Sequence, residues 1–540
     1  MELPVRVLKQ TQQRDLISTL APLLYQNVII PTMQISKKTI NAVLFQLLLI
    51  ANVKAQDVNR KLDLFFTRLA GNQKFSGNIL VADKGKVVYE ESFGYADFPT
   101  RTPNTKRISF PIASISKTFT ATGILQLAEQ GKLKVSDPVK KYLPGFPYPQ
   151  ITIQHLLSHC SGLPPYNAYL NPIKEKEPDK IFTNVDVLPA MAAGKISLIY
   201  EPGERGNYDN VNYIILALLI ERLSGMTYAD YIQRKILDPA GMKHTTFLPL
   251  SQQFNTDTLS HFSYPHLYLH LYDETPAKCN TIPYVQSYWK TFALWGFGDY
   301  VSTVGDLLKY DEALYSDQLL KPETLHEAFE PVTLTNGKLH PDLFGLGWEI
   351  EKDTILGKTI YHSGAAVGLS CVIMRNITRH QTVIVFDNTH TNAHAIGTKV
   401  LGILNGQSVE PPKTSIARVY GQAISKHGVN AAKTLFDKLR KDTLNYYLDE
   451  EELNQLGYDF LGKDNPYHLP ESHRYQEALE TFKLNAEMFP SSWNTYDSLG
   501  EALLTVGRTD EAAAMYRKSL KLNPNNESGI KALEAIEKNR

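Results

Sequence analysis

Cysteine is nearly absent from this 540-residue chain: Cys160, Cys279 and Cys371 are the whole supply. Their spacing fits neither a zinc site nor a disulfide framework, so the core must hold the protein together. Net charge is absent as well, because 56 Lys and Arg balance 56 Asp and Glu. That balance removes the basic surplus of nucleic-acid binders, and no nucleic acid is expected as a partner. Metal ligation has little basis. The pairs His266/His270 and His390/His394 lack a third ligand and read as surface or packing residues; neither metal nor cofactor is expected.

A long apolar run is missing too. The stretch Ala42-Val-Leu-Phe-Gln-Leu-Leu-Leu-Ile-Ala51 is too short for a transmembrane helix. Lys37-Lys38 precede it and Val53-Lys54-Ala55 follow, which is the layout of a secretory signal peptide over 33–55. The rival is a retained, membrane-adjacent helix. Because the signal begins late, Met33 is expected to be the true start, with 1–32 an over-extended reading. Removal of the signal would leave an exported protein with no membrane span.

What is present is organised in blocks. Asn78–Ala82 and Val87–Glu91 flank Lys84-Gly85 and read as a β-hairpin. From Ser114 to about Leu320 the pattern is helix and loop. Strand signals return at Leu346–Ile350, Thr359–Tyr361, Ser370–Met374 and Thr382–Phe386, and a helix from Asn392 to Leu404 follows. Early strands rejoining late ones around inserted helices imply an α+β domain, an antiparallel sheet flanked by helices.

Three short motifs carry chemistry. In Phe110-Pro-Ile-Ala-Ser114-Ile-Ser-Lys117 a hydroxyl and an amine stand three residues apart at the start of a helix, on one face. A partly desolvated lysine can take the proton of a serine nucleophile. The same spacing recurs at Ser287/Lys290 and Ser528/Lys531, so the company Ser114 keeps decides its meaning. The second motif is Tyr208-Asp-Asn210, on a loop before the apolar helix that begins near Tyr213. A phenol beside an ammonium is expected to titrate below its ordinary value and relay protons, while Asn210 suits a lysine amine and a substrate amide. The third is His362-Ser363-Gly364-Ala365 on a strand end. Gly364 leaves room for a substrate backbone, and the N–H groups of Ser114 and Ala365 can form an oxyanion hole.

In this order the motifs resemble those of the serine β-lactamase and penicillin-binding-protein superfamily. The similar branch holds class C β-lactamases, D-alanyl-D-alanine carboxypeptidases and related esterases. Ile151–Pro164, Leu237–Lys243 and Gly298–Asp306 look like further segments of it, and the resemblance spans about 57–406. It implies a β-lactamase/transpeptidase-like fold with a helical subdomain. It also implies a Ser114 acyl-enzyme, with Lys117 and Tyr208 moving protons and with Asn210, His362, Ser363 and Gly364 orienting substrate. Class C enzymes carry Lys-Thr-Gly where this chain has His362-Ser363-Gly364. A histidine is mostly neutral near pH 7, so the resemblance leans toward a D-alanyl peptidase or esterase acting on a small-molecule or peptide carbonyl. The alternatives are a class C-like β-lactamase and a catalytically silent penicillin-binding sensor. The location implied is bacterial, periplasmic or extracellular.

Pro411-Pro412 marks a boundary. A helical linker is expected over 407–450 and tetratricopeptide-like repeats over 451–540. Ala478, Phe482 and Pro490 recur 34 residues later as Ala512, Tyr516 and Pro524, a period of that repeat type. The first unit carries extra residues between Lys463 and Arg474. Such helices either cap the enzyme or bind a protein or peptide partner.

Overall fold

The computed structural model describes residues 56–255, 259–463 and 474–538. The expected leader at 33–55, the stretch before it and most of the extra residues of the first repeat lie outside them.

Six strands form one antiparallel sheet. In chain order they are β1 (Gly77–Asp83), β2 (Lys86–Phe93), β3 (Glu349–Ile350), β4 (Thr359–Ala366), β5 (Leu369–Asn376) and β6 (Gln381–Asp387). Their order across the sheet is β3-β4-β5-β6-β1-β2. The amino-terminal hairpin therefore closes onto strands made some 300 residues later, with Gly77 opposite Asp387 and Asp83 opposite Gln381. Leu369–Asn376 and Gln381–Asp387 are buried at every position, which their apolar runs permit because both sheet faces are covered. On one face a helix over 56–71 and the helix Ala393–Leu404 pack through Phe65, Phe66, Ile396 and Val400 onto Val372, Val383 and Val385. On the other, Ile373, Ile384 and Phe386 meet the helical insert.

The insert is built around the helix Ser116–Glu129 (α1). Its sequence SKTFTATGILQLAE is apolar or hydroxyl-bearing on every side, and eleven of its fourteen residues are buried, as a helix enclosed all round requires. The buried threonines find acceptors: Thr118 bonds the Ile115 carbonyl at 2.8 Å and Thr120 the Gly296 carbonyl at 2.7 Å. Beside α1 lies Val211–Ser224 (α2), whose apolar run was legible in the sequence.

Beyond Pro412 the described residues form six helices: Ile416–Leu439, Glu450–Leu461, Tyr475–Met488, Trp493–Thr505, Thr509–Leu522 and Glu527–Lys538. The first is broken at Gly428, whose φ of 78° no helix contains. They share a core of their own around Phe436, Leu456, Phe460, Phe482 and Tyr516. This core reaches the sheet and its helical insert through a pile of flat groups. Tyr272 lies between His270 and Phe460 with ring centroids 4.8 Å away on either side, and the Arg474 guanidinium covers Phe460 at 4.6 Å. Leu271 N–H donates to the Asp459 carboxylate at 2.6 Å. Val58–Arg540 accordingly packs as one unit. No helix among the described residues is long and apolar enough to cross a membrane.

Candidate active site

Ser114 sits in the short turn Ala113–Ile115 that leads into α1. Ala113, just before it, has a φ of 41°, a left-handed conformation that costs a non-glycine residue energy and recurs at functional turns. Lys117, one turn on, is 0% exposed. Its Nζ lies 2.9 Å from Ser114 Oγ, 2.8 Å from Asn210 Oδ1 and 3.1 Å from the Phe297 carbonyl oxygen. Burial is the main reason its proton affinity falls to about 7, against the opposing charges of Asp299, Asp209 and Glu349.

Asn210 is the residue before α2, and Tyr208 stands on the loop ahead of it. Tyr208 is 43% exposed overall, but its hydroxyl is hydrogen-bonded to Ser114 and its proton affinity is raised, by desolvation first. This corrects the expectation of a phenol below its ordinary value: the neighbouring amine is itself driven toward neutrality by burial, so no fixed ammonium is there to pull the phenol down.

The third motif lies on β4, whose second half, paired with β5 on one edge, passes Ser114 on the other. His362 is 1% exposed. Its Nδ1 lies 2.7 Å from the Ser363 carbonyl, an acceptor, so Nδ1 carries the proton. Its Nε2 is buried without a hydrogen-bond partner among the described residues. Desolvation, with Lys117 nearby, lowers His362 to about 3, so the ring is neutral. Ser363 is half-buried on the alternate face of the strand. A side chain at Gly364 would sit 2.4 Å from the Ile112 carbonyl and 3.1 Å from Ser114 N. The room expected there for substrate is taken by the chain's own approach to Ser114. Ala365, next along, is exposed.

The structure adds residues that sequence reasoning did not single out. His159 is fully buried, takes the Asp209 N–H on Nδ1 at 3.2 Å, and stacks on Tyr208 with ring centroids 4.2 Å apart. Phe344 packs edge-on to His159 at 5.0 Å. Asp299 holds the segment that carries the Phe297 carbonyl. His159 and Asp299 both fall in stretches quoted above, Ile151–Pro164 and Gly298–Asp306, and that was their only signal. Among the described residues no group of His, Cys, Asp or Glu is placed to hold a metal. His266 instead takes the Phe98 N–H at 3.2 Å, and His394 bonds Glu351 at 2.6 Å.

Residues 62–403, well over half of the chain, match the Beta-lactamase family. The chain belongs to that family. Over 366 residues it is 33% identical to penicillin-binding protein 4* of Bacillus subtilis (strain 168), covering 66% of this chain and 78% of that protein. A putative penicillin-binding protein of the same strain, PbpX, is 29% identical, with 65% and 80% covered. Among solved structures, the penicillin-binding protein from Bacillus halodurans superposes with a TM-score of 0.52 at 25% identity, over 62% of this chain and 98% of that one. Within this Beta-lactamase-family chain, Ser114, Lys117, Tyr208, Asn210 and His362 therefore surround one small volume, between the sheet and the helical insert.

Proposed function

We propose that the protein is a serine hydrolase working through an acyl-enzyme on Ser114. The observation that carries the reading is the set of partners around Lys117. A neutral amine has two N–H bonds and one lone pair. Asn210 Oδ1 and the Phe297 carbonyl can only accept, and at 2.8 and 3.1 Å they take both N–H bonds. The lone pair is left for the Ser114 hydroxyl at 2.9 Å. Lys117 takes the Ser114 proton as Oγ attacks a carbonyl carbon. The N–H groups of Ser114 and Ala365 hold the oxyanion. As the tetrahedral intermediate collapses, the proton returns from Lys117 to the leaving group through the Tyr208 hydroxyl, which its raised proton affinity keeps protonated. Water then attacks the ester, and the same transfers run in reverse.

On substrate, the reading favours an ester, or a D-alanyl peptide that places no carboxylate beside His362, over a β-lactam. A neutral His362 with an unpartnered Nε2 lone pair offers no positive charge to a substrate carboxylate. It suits a substrate that presents an N–H or O–H there. The relatives carry the name penicillin-binding, so a slow penicilloyl adduct on Ser114 belongs to the same reading. Intact-mass measurement after exposure to a fluorophosphonate and to penicillin tests it, followed by turnover of a short-chain p-nitrophenyl ester, a D-Ala-D-Ala peptide and nitrocefin. Ser114→Ala is expected to abolish every adduct; an adduct that survives it would end the assignment.

A further inference from the structure

The segment Gly296–Gly298 is curled by one atom. Asp299, 0% exposed, accepts on Oδ1 the N–H groups of Gly296, Phe297 and Gly298 at 2.7, 2.9 and 3.0 Å. With these N–H groups turned inward, the Gly296 and Phe297 carbonyls face outward, toward α1, while that of Gly298 accepts from the Gln253 amide at 3.2 Å. The Gly296 carbonyl meets Thr120 Oγ1 at 2.7 Å and the Phe297 carbonyl meets Lys117 Nζ at 3.1 Å. Residues 117 and 120 share one helix face, so the segment docks as a unit. Its closeness is demanding: Gly296 has a φ of 103°, and a side chain there would sit 2.5 Å from the Tyr213 carbonyl.

The other carboxylate oxygen, Oδ2, is buried with no hydrogen-bond partner among the described residues. Loop folding alone needs only the one accepting oxygen, so an amide oxygen would serve. A full carboxylate kept there at the cost of desolvation points to a use for its charge.

We propose that Asp299 is a positioning residue for proton transfer. It curls 296–298 so that the Phe297 carbonyl claims one N–H bond of Lys117, and its charge supplies the strongest negative field at that amine. The proposal rests on reading Lys117 as the base for Ser114. The acids facing Lys117 are Asp299 from the segment before Tyr300, Asp209 from the loop ahead of α2 and Glu349 from β3, with Asp299 foremost. The other titratable neighbours are neutral: His159 and His362, lowered mainly by burial, and Tyr208, raised by it. Asp299 itself, raised to about 6 by burial, faces Lys117 and the phenols Tyr228 and Tyr300.

The sign follows directly. Only neutral Lys117 accepts the serine proton, so acylation rises with pH through the lysine's value and levels off above about 7. Asp299 stabilises the protonated amine and holds that rise at higher pH. The test is the second-order rate of Ser114 acylation by a fluorophosphonate between pH 5 and 9. Asp299→Asn and Asp299→Ser are expected to move the rise to lower pH by about one unit and to lower the plateau. Thr120→Val, which releases the same segment but keeps the charge, is expected to lower the plateau without moving the rise. An unmoved rise in a folded Asn or Ser variant overturns the proposal. So does failure of both neutral variants to fold, which would make Asp299 a residue of folding alone. Absence of any Ser114 adduct in the parent protein would instead remove the hydrolase reading.

Discussion

His362 sits where a lysine would carry a fixed charge, and its hydrogen bond to the next residue's carbonyl sets its character. With Nδ1–H committed to Ser363 at 2.7 Å, the ring beside Ser114 and Lys117 is neutral and brings no charge to attract a carboxylate. His362→Lys is expected to reverse this preference. Penicillin acylation, measured against acylation by the p-nitrophenyl ester, should rise about tenfold, the size of one added charge-assisted hydrogen bond. An unchanged ratio would show that this position does not select substrate charge. At this scale the sequence was informative about identities and silent about states. Ser114, Lys117, Tyr208 and His362 could be picked out by type and order. The upward shift of Tyr208 could not, because it comes from burial by distant segments. His159 was hidden for the same reason: its partners Asp209 and Tyr208 lie some 50 residues away.

Among elements, the helix Val304–Tyr315 is fastened to the sheet by a buried ion pair. Asp311 takes the Arg375 guanidinium on one oxygen and the Thr382 hydroxyl on the other, and both charged side chains are at most 1% exposed. Arg375 also lies over Tyr315 at 4.7 Å and Trp348 at 5.5 Å. Asp311→Ala leaves an uncompensated buried cation and is expected to cost about 3–5 kcal/mol, read as a lowered urea midpoint. Asp311→Leu combined with Arg375→Met should recover most of the loss; no recovery would mean the pair does more than neutralise itself. Nothing in Lys309-Tyr-Asp-Glu marks Asp311 as buried, because its partner stands on a strand 64 residues on. The strands were legible where β-branched residues alternate or run together, as in Thr382–Phe386. The pattern stopped at Tyr361 because His-Ser-Gly-Ala has little strand preference of its own. Pairing with Leu369–Asn376 carries the strand on to Ala366, and that extension brings it past Ser114.

For the whole molecule, the stretch 261–288, rich in Tyr and His, has in part a docking purpose. His270–Asp273 forms the socket for the carboxy-terminal helices, through the Tyr272–Phe460 stack and the Leu271–Asp459 bond. Phe460→Ala should lower thermal stability by about 3–5 kcal/mol as a large buried aromatic is deleted. It should leave Ser114 acylation within about twofold of the parent, since Phe460 belongs to a separate core. A large loss of acylation would instead make the helices part of the catalytic apparatus. The socket also has a consequence in time. A ribosome releases the sheet and its helical insert first, and the face of Tyr272 opposite His270 waits for the residues around 460 to cover it. A nascent chain that stalls before that point displays an uncovered aromatic patch, the kind of surface chaperones bind and aggregates grow from.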